Sequence, residues 1–240
     1  MRTVPAVLTP GRRAGLLWVV AAVTGGFALT YVRGHVYVPG DPAATAQGLL
    51  ADVFRFRLAI VGALVSQLAM LFLAFALYGA FAPVGKSLAR VLLIAMTISV
   101  ALACLNQLPN WLALLLLTSE TWLRAAFSQP QIEALVQLLL RVQNGPGQGL
   151  LEIFWTPFYV AFGLLVLRTR ALPRILGVLL VAMGTGFALN IATKLLAPHW
   201  HPAFFTQLAM GLGALGGLPT MLWLLVRGVA LPLPVSMDRG

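Results

Sequence analysis

The sequence is poor in charge and almost without cysteine. Of its 240 residues only 9% are charged, six are acidic, and Cys104 is the single cysteine. One cysteine cannot form a disulfide within the chain, which excludes a disulfide-stapled secreted scaffold. So few charges cannot coat a globule, which excludes a soluble enzyme; a chain this apolar is no disordered tail either. Also missing are a phosphate-binding loop, a dinucleotide fingerprint, a nucleophile elbow and a cluster with metal-ligand spacing, so neither cofactor nor metal is expected.

What is present is apolar side chains, at 60% of the total, and a net charge of +10. In a soluble protein that charge would point to nucleic acid, so its distribution decides its meaning. Crossing a bilayer takes about 18 or more predominantly apolar residues. Stretches 14–32, 58–85, 91–119, 175–193 and 195–226 are uncharged. A further span of about 147–167 is broken only by Glu152. These runs lack the period-two alternation of a barrel strand. The expected fold is all-α: a polytopic membrane helix bundle with six transmembrane helices and short interfacial helices on the outer side. Its helices are expected at about 14–32, 57–82, 88–118, 147–167, 174–197 and 203–227, within one domain spanning 14–227.

Alternate segments differ in charge. Arg2, Arg12, Arg13, Lys86, Arg90, Arg168, Arg170, Arg174, Arg227 and Arg239 fall on one side, with Asp238 the one acid among them. Arg33, Arg55, Arg57, Arg124, Arg141 and Lys194 fall on the other with the five remaining acids. The positive-inside rule then makes segment 1–13 and tail 228–240 cytoplasmic, with the first helix retained as an anchor rather than cleaved. The basic residues set orientation in the membrane, and no nucleic-acid partner is expected.

The two long outer segments carry helix signals. Asp41 and Pro42 form an N-cap and first-turn pair for a surface helix reaching about Phe54. Ser128 and Gln131 have capping-box spacing, Pro130 lies in the first turn, and Asn144 with Gly145 should stop that helix. Its roughly 14 residues would rise about 21 Å, too short to cross, so it is interfacial or re-entrant.

Polar side chains within the spans gather at one depth, towards the outer side: Arg57, Gln107 with Asn106 and Asn110, Glu152, Asn190, Lys194 and Gln207. Ionisable groups at membrane depth face the bundle interior and pair, so an outer pocket is expected in which Glu152 meets Lys194 or Arg57. The plainer alternative is that Arg57 and Lys194 snorkel to headgroups while the amides join helices. His199 and His201 around Trp200 suit an aromatic belt better than a metal site, and Pro109 and Pro157 should kink their helices. The small-xxx-small spacing of Gly213 and Gly217 in the last helix suits either close packing in the bundle or a homodimer.

Several segments also look alike as a set: RAGLLW from Arg13, VPGDPAATA from Val38, FRLAI from Phe56, LYGAFAPVGKSLA from Leu77 and LPRILGVLL from Leu172. In order and spacing, across roughly residues 12–196, they resemble the bacterial integral membrane family catalogued as domain of unknown function 4386. The resemblance implies a helical inner-membrane protein with no established activity. The family's VPGD-x-x-x-T pattern falls on Asp41 and Thr45 and its Phe-Arg pair on Phe56 and Arg57, adding Asp41 and Thr45 to the candidate pocket. The chain departs from the pattern at Gln47, where asparagine is usual, and at Val142, Gln143 and Asn144, where a histidine is expected.

Three functions fit. The favoured one is a non-enzymatic protein that sits among membrane lipids and binds a hydrophobic or amphipathic small molecule, or a partner protein, through its outer half. The second is an enzyme acting on a lipid or isoprenoid, with Glu152 as general acid or base. The third, a small transporter, fits worse because the inner half lacks polar residues.

Overall fold

The structure, a computed structural model, describes residues 10–118, 126–197, 199 and 203–229; the expectations placed on Glu120, Arg124, Trp200, His201 and the chain ends lie outside them. Among the described residues there is no strand. Eight α-helices have both ends among the described residues: α1 Pro10–Tyr31, α2 Pro42–Ala51, α3 Val53–Leu105, α4 Leu108–Thr118, α5 Gln129–Val142, α6 Gln148–Thr169, α7 Arg174–Leu196 and α8 Ala203–Val226. Wider π-helical turns, Val32–Val36 and Gln143–Gly147, extend α1 and join α5 to α6.

Among the described residues five helical stretches are long and apolar enough to cross a membrane, and one of them, Val53–Thr118, has 66 residues. A straight helix of that length would rise about 100 Å, some three hydrocarbon thicknesses. It is not straight, because Gly85 leaves helical geometry (φ −164°, ψ 62°) two residues after Pro83. Residues 57–64 and 111–118 line one common groove. A single rod would hold Leu64 and Trp111 about 70 Å apart, so the chain folds back at the Gly85 break. Dividing α3 there gives six membrane-length helices, and the chain is an all-helical, multi-pass membrane protein.

Large apolar side chains stand exposed along these helices, among them Val61, Phe72, Ile94, Leu150, Ile175 and Leu215. In water such a surface would aggregate; against acyl chains it carries no penalty. Several threonine hydroxyls inside the helices are spent locally. Thr24, Thr118, Thr169 and Thr220 each donate to the carbonyl four residues earlier at 2.7–2.8 Å, so these four donors do not stand bare towards lipid.

The residues form two compact units. The first holds 10–16, 73–94 and the described residues from 156 to 229. Glycine lets its helices approach backbone to backbone: a Cβ on Gly163 of α6 would lie 2.6 Å from the Gly177 carbonyl oxygen of α7, and one on Gly184 2.9 Å from that of Thr156. Gly216 of α8 meets the Leu179 carbonyl in the same manner at 3.0 Å. Phe81, Phe158, Tyr159, Phe162 and Phe187 form a run of ring contacts beside that crossing. Near the start of α1, Arg12 donates to the Val226 carbonyl at 3.1 Å.

The second unit holds residues 17–72 and 95–155. Its core joins Leu49 of α2, Phe56 and Ile60 of α3, Leu114 and Leu117 of α4, and Ile132, Val136 and Leu140 of α5, every fourth residue of the last. Ser66 donates to the Ala21 carbonyl at 2.9 Å and links α3 to α1.

Three sequence expectations are corrected. The surface helix α2 ends at Ala51 rather than Phe54, because the Asp52 carboxylate accepts the Arg55 N–H at 2.9 Å and starts the next helix. The third crossing is interrupted at Asn106–Gln107, ahead of Pro109. Asn144 and Gly145 do not stop α5: its axis continues through the π-turn into α6, with the Asn144 amide folded back on the Leu140 carbonyl at 2.9 Å. As expected from the box spacing, the Ser128 N–H donates to Gln131 Oε1 at 2.8 Å.

Candidate functional site

In the VPGD turn, Gly40 takes a positive φ of 81°, and the Asp41 carboxylate accepts the Ala44 N–H at 2.9 Å to cap α2. One turn on, Thr45 is fully buried. Its hydroxyl donates to the Asp41 carbonyl at 2.8 Å, with the Val38 carbonyl 3.1 Å away, and accepts the Val38 N–H at 3.1 Å. Gln137 of α5 donates to the same Val38 carbonyl at 3.0 Å. Asp41 and Thr45 thus fold the turn, and Gln137 fastens it to α5.

A second polar group forms where α3 gives way to α4. Asn106 donates to the Gln143 carbonyl at 3.1 Å, tying the helix break to the π-turn. Gly147 fits beside the Asn106 side chain, where a Cβ would overlap the amide. Asn110, 4% exposed, donates to Gln107 Oε1 at 3.0 Å. Two buried acceptors here, Asn110 Oδ1 and Gln143 Oε1, lack a partner among the described residues. Glu152, a turn into α6, is buried at 6% exposure.

The third feature is a groove of about 550 Å³ between Arg57, Ile60, Val61 and Leu64 of α3 and Trp111, Leu114, Leu115 and Thr118 of α4. Both stripes have the spacing i, i+3, i+4, i+7 of one helix face. The two segments run in opposite directions, since the chain folds back between them, so the first residue of one stripe lies level with the last of the other. Arg57 and Thr118 therefore share one end of the groove, with apolar walls leading away. Arg55, two residues before Arg57, is paired with Asp52 at 3.0 Å. Arg57 is exposed and has no hydrogen-bond or ion-pair partner among the described residues, so the expected meeting of Glu152 with Arg57 is not made. The Thr118 hydroxyl gives its proton to Leu114.

Of the seven residues assigned to one pocket, Asp41, Thr45, Arg57, Gln107 and Glu152 lie in the second unit and Asn190 and Lys194 in the first. Within the first unit, buried Asn190 accepts from Thr206 at 3.3 Å, and Lys194 is half-buried. Among the described residues no three histidine, cysteine, aspartate or glutamate side chains gather as metal ligands. Sequence reasoning missed Trp111 and Thr118, which only the fold-back at Gly85 brings opposite residues 57–64.

Residues 13–228 match the family model described as Domain of unknown function (DUF4386). No curated protein and no solved structure matches the chain.

Proposed function

The chain belongs to the DUF4386 family, and we propose that it is a bacterial inner-membrane protein that binds a hydrophobic or amphipathic molecule in the groove between α3 and α4. The observation that carries this reading is the groove itself: about 550 Å³ of space, apolar along both walls, with an arginine at one end that has no partner among the described residues. Ligand sites fall in this size range and combine apolar walls with a few polar groups that fix orientation. The excess of basic residues in alternate segments supports cytoplasmic termini, which would put Arg57 and Thr118 towards the outer leaflet. Native mass spectrometry of the purified chain tests binding: retained amphipathic adducts are expected, fewer after Leu64→Trp, which fills the groove. Equal adducts on both proteins would refute the site. Reporter fusions after Ser87 and Arg170 should report cytoplasm, and one near Gln143 the outside.

A second reading, an enzyme acting on a lipid or isoprenoid, draws on the burial of the Glu152 carboxylate at membrane depth. Glu152→Gln with normal folding and an altered lipid profile would favour it; an unchanged profile would sink it.

A further inference from the structure

We infer that the groove's occupant is an anionic phospholipid, its phosphate against Arg57 and an acyl chain along Ile60, Val61 and Leu64 towards Trp111. This rests on the reading of the groove as a binding site and adds the chemistry of what enters it.

The argument starts from charge. Two arginines lie two residues apart on α3, and only Arg55 has its charge answered, by Asp52 at 3.0 Å. Arg57 faces apolar walls with no counter-charge among the described residues. A cation beside low-dielectric surface draws an anion more strongly than one in water. The guanidinium fork presents paired N–H groups that match the oxygens of a phosphate. Thr118 adds no competing donor, because its proton is committed to Leu114, but its oxygen can still accept from a headgroup hydroxyl. Seven residues of helix separate the polar end of each stripe from its apolar end, about 10 Å along the axis. The groove therefore has a head end and a tail end in the same order as a lipid. The groove is not an enclosed cavity, which admits a molecule that extends beyond it.

The full chain is reconstituted in phosphatidylcholine vesicles containing increasing fractions of brominated phosphatidylglycerol or brominated phosphatidylcholine. The fluorescence lost on Trp111→Phe isolates the signal of the groove tryptophan. Half-maximal quenching is expected at about a five-fold lower fraction of the anionic lipid, the factor that one basic residue contributes near anionic headgroups. Arg57→Gln should bring the two curves together, while Arg57→Lys keeps them apart; size-exclusion profiles and melting temperatures check that both variants fold. Coincident curves in the unsubstituted protein, or a gap that survives Arg57→Gln, overturn the inference. So does an Arg57-dependent preference for brominated stearic acid with none for phosphatidylglycerol. Equal, saturable quenching by both phospholipids leaves the groove as a site and removes only its charge selectivity. Absence of any saturable quenching removes the site as well.

Discussion

Substituting Gly163 by alanine tests whether the α6–α7 crossing is held by backbone approach. The new Cβ would lie 2.6 Å from the Gly177 oxygen and 2.9 Å from the Val181 nitrogen, whereas ordinary van der Waals contact begins at 3.4 Å. Both atoms are backbone, so no side chain can turn away and α7 must retreat by about 0.8 Å as a body. A gap of that size forfeits about a quarter to a half of each dispersion contact, each worth about 0.1–0.2 kcal/mol. Over some 30 atom pairs the loss is about 2 kcal/mol. Better helix propensity returns at most about 1 kcal/mol, since alanine exceeds glycine by that much. The expected net cost is about 1–2 kcal/mol, within the usual range for overpacking. It would be read as a lower midpoint on titration with dodecyl sulfate in mixed micelles. Gly79→Ala is the reference, because a Cβ there meets nothing within 4 Å. If Gly163→Ala were as stable as Gly79→Ala, the packing argument would be wrong.

Three further outcomes are expected in the second unit. Thr45→Val removes the hydroxyl that serves Val38 and Asp41, costing about 1–3 kcal/mol; amide exchange at residues 38–45 should quicken, and Thr45→Ser should restore it. Asp52→Ala takes away the α3 cap and should lower stability by about 1 kcal/mol, whereas Asp52→Asn should cost only a few tenths because it still accepts the Arg55 N–H and the exposed ion pair contributes little. Gly147→Ala displaces Asn106 from Gln143, at about 1 kcal/mol for the lost bond. Combined with Asn106→Ala, it should cost less than the sum of the two, and strict additivity in that double-mutant cycle would show that the side chains do not meet.

The fold was legible because its main determinant is linear. Uncharged stretches long enough to span a bilayer announce helices whatever their neighbours do. Capping signals were legible too, since Asp41 and the Ser128–Gln131 pair act within four residues of chain. The π-turn was not. Asn144, Gly145 and Pro146 read as a stop, but residues distant in sequence hold the chain in register there, Asn106 bonding to the Gln143 carbonyl 37 positions away. Arg57 stood out as a charge within an apolar run. Trp111 and Thr118 did not, because a groove-lining face and a lipid-facing face have the same composition, and only the fold-back at Gly85 brings residues 57–64 and 111–118 together. A bond within a helix hides nothing from sequence; a groove shared by segments about 50 residues apart hides almost everything.

The single non-helical residue at Gly85 also constrains how the protein can be made. One extended residue reaches at most about 3.6 Å, while the hydrocarbon layer is about 30 Å thick. In the folded protein the adjoining ends of the second and third crossings therefore lie at the same face of the bilayer. Crossings joined this tightly are expected to enter the bilayer as a hairpin. A nascent chain arrested just beyond Gly85 has half a hairpin and no loop with which to park it, and lengthening that connector with a flexible insert would turn one concerted insertion event into two separate ones.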